Sequence, residues 1–320
     1  MGHSKTDSVV YLDPSLNTSN LGDAIIRLAV EHWFLEPLER AGRQVHRLPL
    51  TRSLDHDERD LLHAAEDVVL GGTNRLSAHM RFRHRYWNWP RDQIESCFGK
   101  LTMLGVGWSQ YQVSRVDPWS AAWGRRLQGR HPWSVRDEYS QRRLEEYGVD
   151  SVHTSCPTLW GERWQKLPSP GGRVVTTLTD YARDPLADRA LVEVLERQFD
   201  EVVLWPQGTR DAEYATALFG GRIELLDRDL AALDSELARD DTSYVGLRLH
   251  AGIHAIQCGT PALIVSVDNR AREISRSVGL VQESRHRPDL IEEIVKTEIG
   301  EARLEVPMDD VVDWITAWVE

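Results

Sequence analysis

Arg248 and His250 lie two residues apart in the stretch GLRLHAGIHAIQCGTPALIVSV, Gly246 to Val267, where an apolar strand gives way to a helix. Two residues apart on a strand, they point to one side. The first N–H groups of a helix are unpaired and its dipole is positive there, so the position suits an anion. Arginine adds a planar, permanently charged fork that matches carboxylate or phosphate. Histidine adds a group that holds or delivers a proton near neutral pH. The plainer account makes His250 a cap and Arg248 a surface ion-pair partner. The pairing at a strand end favours a functional one. His254 follows four residues later on the same helical face. The run HAGIH lacks the glutamate of a zinc-protease helix, because Ala251 stands in its place. His254 is therefore assigned to packing, and no metal is expected.

Other strand ends carry related residues. Gly22 and Asp23 fall between the first strand and the first helix, in NTSNLGDAII. Glycine lets a ligand approach the backbone. Asp23 is either an N-cap or a carboxylate able to take a proton from a hydroxyl, and local sequence leaves both open. Arg136 and Asp137 precede a helix in WSVRDEYSQRRLEEYG. Asp137 is an obvious cap, whereas a cation near a positive helix end needs an anion to explain it. Asp268 and Arg270 follow another strand, and Arg270 is a third candidate cation. In DVVLGGTNRLS a strand runs into Gly71, Gly72 and Asn74. There is no GxGxxG and no GxxxxGK[ST], so neither a dinucleotide nor a P-loop nucleotide is signalled. Six of the twelve tryptophans, Trp87, Trp89, Trp108, Trp119, Trp123 and Trp133, lie close together with the basic run RFRHRYW, Arg81 to Trp87. Most belong in a core. One or two, with Arg83, Trp87 and Asn74 foremost, are candidates for an acceptor platform of sugar or anionic character.

The elements that must position these residues alternate. Strands are predicted at 9–12, 45–48, 68–70, 101–106, 133–135 and 151–153, with helices at 23–34 and 138–147. LPSPGGR, Leu167 to Arg173, reads as a hinge. Beyond it, strands at 174–178, 201–205, 222–225, 243–246 and 262–267 alternate with helices at 185–199, 211–219, 227–239, 250–258 and 270–278. Such alternation implies parallel sheets built from βαβ units. The expected division is a Rossmann-like domain over 1–166, on the acceptor side, and a second over 173–302, on the donor side. The segment 303–320, amphipathic through Val311, Val312, Ile315, Trp318 and Val319, is expected to pack back on the first domain. The fold class is α/β, with two Rossmann-like domains facing across a cleft. At 320 residues, 41% hydrophobic and 28% charged, the chain has the size and composition of a soluble two-domain protein. Its formal charge of −12 argues against a general nucleic-acid binder. The cysteines Cys97, Cys156 and Cys258 have no metal-ligand spacing and fit a reduced, cytoplasmic compartment.

Together these blocks resemble the polysaccharide pyruvyl transferase family. The resemblance rests on Asn20-Leu21-Gly22-Asp23-Ala24-Ile25 and on the strand with its glycines from Asp67 to Asn74. It continues through Ser134-Val135-Arg136-Asp137 with Ser140, Leu144 and Gly148, and through Gly246-Leu247-Arg248-Leu249-His250-Ala251 followed by Gly259-Thr260-Pro261. The last block is the most diagnostic. Where family members often carry a tyrosine–aspartate pair and a lysine, this chain has Val267-Asp268-Asn269-Arg270. The resemblance implies a GT-B-like fold and phosphoenolpyruvate as co-substrate, with no cofactor and no metal. It further implies a sugar of a bacterial exopolysaccharide, cell-wall glycan or lipid-linked precursor as acceptor, and a pyruvate ketal plus phosphate as products. Arg136, Arg248, Arg270 and Gly22 would then bind phosphoenolpyruvate. His250 would protonate its methylene carbon, and Asp23 or the neutral His250 would serve as base. The family's role implies cytoplasmic work at the inner face of the membrane, with peripheral association. Two rivals remain at the level of sequence: a GT-B glycosyltransferase or epimerase using a nucleotide-sugar, and a non-catalytic binder of anions or glycans.

Overall fold

The computed structural model describes the chain except residues 1–6, 81–88, 109, 162, 167–171, 298 and 300, and except the side chains of 163–166 and 301–303. The chain divides into two compact units. One comprises residues 1–18, 26–161 and 306–320, the other residues 19–25 and 162–305. Gly22 and Asp23 thus belong to the second unit, and the C-terminal segment from Val306 to the first. Most of the Leu167–Arg173 hinge lies outside the described residues.

In the first unit, β1 (Ser8–Asp13), β2 (Gln44–Pro49), β3 (Asp67–Gly71) and β4 (Leu101–Leu104) form a parallel sheet in the order β2-β1-β3-β4. A second parallel pair, β5 (Trp133–Val135) and β6 (Ser151–His153), joins it through a bridge between Val106 and Val135. Every residue of β1 and β3 is buried, as expected for central parallel strands covered on both faces. The connecting helices are α1 (Leu21–Val30), α2 (Glu36–Arg40), α3 (His56–Ala64), α4 (Arg91–Glu95), α5 (Pro118–Leu127) and α6 (Glu138–Glu145). A π turn at Glu31–Leu35 joins α1 to α2, so the helical path runs from Leu21 to Arg40 rather than over the predicted 23–34. Wider spacing of the backbone bonds there precedes Pro37, which has no N–H to give. Trp89, Trp108, Trp123 and Trp133 belong to one core cluster with Leu12, Leu70 and Met103, which removes them as sugar platforms.

The C-terminal helix, Met308–Val319, closes the other side of this unit's sheet. Its buried side chains are Val311, Trp314 and Trp318, whereas Val312 is 53% exposed, so the predicted apolar face is shifted. Trp314 and Trp318 pack on Phe34 at ring-centroid distances of 5.3 Å, and the Trp314 indole donates to the Pro132 carbonyl at 2.8 Å.

The second unit opens with β7 (Arg163–Lys166) and holds a six-stranded parallel sheet of β8 (Arg173–Thr176), β9 (Glu201–Leu204), β10 (Glu224–Leu225), β11 (Thr242–Gly246), β12 (Ala262–Ser266) and β13 (Gln282–Ser284). Its order is β10-β9-β8-β11-β12-β13. Helices α7 (Pro185–Gln198), α8 (Asp211–Phe219), α9 (Leu230–Leu237), α10 (Leu249–Gln257), α11 (Asn269–Val278) and α12 (Pro288–Thr297) connect its strands, and β14 (Glu301–Glu305) pairs antiparallel with β7. Aspartates cap several helices: Asp184, Asp229 and Asp268 each accept a first-turn N–H, contacts worth about 1 kcal/mol apiece. The chain leaves β8 toward one edge of the sheet and returns to β11 toward the other. The crevice between the carboxyl ends of β8 and β11 is the switch point at which such sheets bind ligands. In the first unit the corresponding reversal lies between β1 and β3.

Candidate active site

Arg248 occupies the second unit's switch point. β11 ends at Gly246, α10 begins at Leu249, and Arg248 is the N-cap residue between them, with no side-chain cap bond. Its N–H donates to Thr177 Oγ1 at 3.0 Å, and Leu247 N–H donates to the Thr177 carbonyl at 2.9 Å, which pins the turn against the end of β8. The guanidinium is buried, and it is paired. Its Nη2 donates to both carboxylate oxygens of Asp211 at 2.6 Å, and Nε reaches Asp211 Oδ2 at 3.1 Å and the Leu178 carbonyl at 3.3 Å. Nη1 takes no part in these bonds. Asp211 is the first residue of α8 and is fully buried. It also accepts the N–H groups of Gly208 at 2.7 Å and Asp180 at 3.1 Å. A Cβ at Gly208 would stand 2.7 Å from Arg248 Nη2, so a larger residue there would shift the guanidinium.

Arg270 comes to the same place. Its Nε and Nη2 bond Asp268, and Nη2 donates to Tyr181 Oη at 2.7 Å. The Tyr181 ring lies 5.0 Å from the Arg248 guanidinium and 5.9 Å from that of Arg270, so one half-exposed aromatic ring bridges the two cations. His250 is the second residue of α10 and is partly exposed. Gly259-Thr260-Pro261 ends that helix. Gly259 adopts φ +80° and Thr260 N–H reaches back to the Ala255 carbonyl at 2.9 Å, a left-handed C-terminal cap.

Asp23 is not the N-cap of α1. The helix starts at Leu21, and Asn20 before it accepts the Gly22 N–H at 3.3 Å while donating to Asp23 Oδ1 at 3.1 Å. Gln207 donates to Asn20 Oδ1 at 2.8 Å, and its carbonyl accepts Leu21 N–H at 3.3 Å. The loop after β9 therefore touches both groups: Gln207 holds the Asn20–Asp23 turn, and Gly208 faces Arg248. Gly22 is explained by the same contact, because a Cβ there would meet Gln207 Nε2 at 2.6 Å.

Arg136 stands in the first unit, just past β5, buried like Arg248. Its Nε contacts Asp137 Oδ2 at 3.2 Å, and Nη2 donates to the Trp108 carbonyl at 3.3 Å. The guanidinium lies on Gly107, where a Cβ would clash with it. Asp137 is the cap of α6, accepting Ser140 N–H at 2.7 Å. Beside Arg136, at the end of β6, burial pushes the pKa of His153 down, against a hydrogen bond to the Arg136 main chain and the charges of Asp137, Glu138 and Asp310.

At the first unit's own switch point, between β1 and β3, buried oxygens lack hydrogen-bond partners among the described residues: Asp13 Oδ2, Ser15 Oγ, Thr73 Oγ1 and Asn74 Oδ1. Asp13 is fully buried, with Oδ1 taken by Ser15 N–H at 2.7 Å. Burial alone pushes the Arg75 guanidinium down to about 10. Unsatisfied buried polar atoms at a strand-end crevice are where a polar ligand would repay its own desolvation. Of the predicted acceptor residues, Asn74 is at this crevice, whereas Arg83 and Trp87 lie outside the described residues. Sequence reasoning passed over Asp13, Arg75, Tyr181, Gln207 and Asp211. Only Arg75, adjacent to Asn74, carried a local signal.

The model of the polysaccharide pyruvyl transferase family matches residues 20–269. No curated protein matches the sequence closely enough to count as a relative. Among solved structures, the chain is similar to the UDP-GlcNAc 2-epimerase of Methanocaldococcus jannaschii, at 11% identity and a TM-score of 0.53, over 97% of this chain and 98% of that one. It is also similar to a putative UDP-N-acetylglucosamine 2-epimerase from Listeria monocytogenes, at 13% identity and a TM-score of 0.57, over 98% and 95% of the two chains. At these identities the likeness concerns the fold, which is α/β of the GT-B class with parallel sheets. The family match spans well over half of the sequence, from the Asn20 turn through Arg136 and Arg248 to the cap of α11, and the chain belongs to the polysaccharide pyruvyl transferase family.

Proposed function

We propose that this chain transfers the pyruvyl group of phosphoenolpyruvate to a pair of hydroxyls on a glycan, forming a pyruvate ketal and releasing phosphate. The observation that carries this reading is Arg248 at the switch point of the second sheet, with His250 in the next turn and Arg270 across Tyr181. Phosphoenolpyruvate is small and anionic at both ends. Each arginine is held by a carboxylate, which sets its orientation before the substrate arrives, and Arg248 keeps Nη1 for a ligand. The start of α10 adds the positive end of a helix dipole, which favours an anion.

His250 donates a proton to the methylene carbon, and positive charge develops on the carbon bearing phosphate. A glycan hydroxyl attacks that carbon and gives its proton to Asp23 or to the now neutral His250. The carbon–oxygen bond to phosphate breaks, the second hydroxyl closes the ketal, and its proton leaves with phosphate. One hydroxyl proton in effect replaces the one delivered to carbon, and the other appears on phosphate. In the first unit, Asp13, Asn74 and Arg75 are proposed to meet the acceptor, a polysaccharide unit or its lipid-linked precursor, and Arg136 offers an anion contact there. Among the described residues no helix is long and apolar enough to cross a membrane. Work at the inner membrane face is proposed as peripheral.

Acid–base groups of this kind contribute roughly 10²- to 10⁴-fold to a rate. Purified His250→Ala, folded by circular dichroism, is expected to lose that much phosphate release from phosphoenolpyruvate in the presence of acceptor. Turnover within a few-fold of the parent would remove His250 from the mechanism. The nucleotide-sugar reading, prompted by the epimerase-like fold, is separated by thermal shift. Phosphoenolpyruvate should raise the melting temperature where UDP-GlcNAc does not, and the reverse pattern would replace the proposal.

A further inference from the structure

On α10, one turn beyond His250, His254 meets Asp234 of α9 rather than any of the residues just assigned to the chemistry. Its Nε2 lies 2.6 Å from Asp234 Oδ1, on α9, and 3.9 Å from the sulfur of Cys258. Its Nδ1 lies 3.2 Å from Gln257 Oε1. The ligand atoms of Asp234, His254 and Cys258 all fall within 4.8 Å of one another. Helical spacing places His254 and Cys258 on one face. Thr260 Oγ1, bonded to the Leu237 carbonyl at 2.9 Å, ties the end of α10 to the helix that carries Asp234.

Two familiar arrangements fail to describe this cluster. In a cysteine nucleophile with a histidine base, the orienting carboxylate meets one ring nitrogen and the thiol the other. Here carboxylate and sulfur converge on the same nitrogen, and the opposite nitrogen is held by Gln257. A plain histidine–aspartate ion pair needs neither the sulfur nor the glutamine. Convergence of N, S and O on one point, with the second ring nitrogen fixed by an outer hydrogen bond, is the pattern of a metal-ligating imidazole. A tetrahedral zinc ion would set nitrogen and oxygen about 3.3 Å apart and nitrogen and sulfur about 3.6 Å apart. Small side-chain rotations reach both spacings. Cys258 is also the C-cap of α10, where unpaired carbonyls favour a cation.

We propose that Asp234, His254 and Cys258 form a divalent transition-metal site of the zinc type on the outer face of α9 and α10, separate from the residues assigned to pyruvyl transfer. Helix α9 supplies one ligand and α10, with its C-cap, the other two, and Cys258 is exposed.

Cobalt(II) reports the ligands directly. Adding Co²⁺ to the chelator-treated full chain is expected to give one equivalent of tetrahedral visible bands with a sulfur-to-cobalt charge-transfer band, displaced by Zn²⁺. Cys258→Ser should abolish the charge-transfer band, and His254→Ala and Asp234→Asn should each weaken Co²⁺ binding about tenfold or more. Cys97 and Cys156 are buried, so a second measurement isolates Cys258: Zn²⁺ should slow its alkylation in the parent but not in His254→Ala. Absence of the charge-transfer band, its survival in Cys258→Ser, or alkylation indifferent to Zn²⁺ would each overturn the site.

Discussion

Arg136 and Arg248 occupy equivalent places in two different sheets. Each follows the end of a parallel strand, each precedes a helix, each is buried, and each lies against a glycine that has no room for a Cβ. They differ in what holds their charge. Arg136 leans on Asp137, its neighbour in sequence, which has a second duty as the cap of α6. Arg248 is clasped by Asp211, which arrives from a separate helix and is fully enclosed. One arginine meets a carboxylate next to it in sequence and a carbonyl 28 residues away. The other is a tertiary joint linking β8, α8 and α10, and the proposed substrate site is built upon that joint.

The largest effect should follow from breaking the joint. Arg248→Met leaves the Asp211 carboxylate buried without its cation, a loss of about 3–5 kcal/mol in such pairs. Urea unfolding should show it, and phosphoenolpyruvate binding should vanish with it. The double variant Arg248→Met/Asp211→Asn removes both charges and should recover much of the stability but none of the binding. That split separates the fold from the site. If the double variant is no more stable than Arg248→Met, the buried pair is not what makes the first substitution costly.

Arg136→Met should cost less, about 1.5–3 kcal/mol, the range for hydrogen bonds involving a charged group. Asp137 loses one described contact with its arginine, at 3.2 Å, whereas Asp211 loses three at 2.6 to 3.1 Å. Equal losses at Arg136 and Arg248 in the same urea titration would erase the contrast drawn between them.

The contrast also marks where sequence stopped being informative. Both arginines stood out, because a cation at a strand end before a helix has no role in helix initiation. Asp137 was legible as a cap for the same reason of adjacency. Asp211 could be seen only as the start of α8, since nothing local links it to a residue 37 positions away. Asp23 was misplaced in one of its two readings: the cap is Asn20, and α1 starts at Leu21, two residues before Asp23. Asp13 closes a continuous apolar strand and looks like a boundary residue, yet its second oxygen is buried and unpartnered beneath the β1–β3 crevice. The regular β8–β12 alternation was readable because parallel strands there are short apolar runs. Helix α5 was not among the predicted helices, and Trp119 and Trp123 within it were seen only as members of a tryptophan cluster.

The smallest effect sharpens the comparison through pH. His153 stands beside Arg136, its Nε2 buried without a partner and its pKa pushed down chiefly by burial. A histidine depressed in the folded state lets the unfolded chain take up a proton first. Its contribution to stability is therefore full above the unfolded pKa, near 6.5, and is lost as pH falls through the lower folded value. The Arg248 guanidinium instead contacts the carboxylate of Asp211, the Leu178 carbonyl and the Tyr181 ring. His153→Gln should thus flatten the fall in unfolding free energy between neutral pH and mildly acid pH, with the difference from the parent vanishing at higher pH. A variant whose pH profile runs parallel to the parent's would show that His153 accepts its proton as readily folded as unfolded, and the first site would lose its acid-sensitive character.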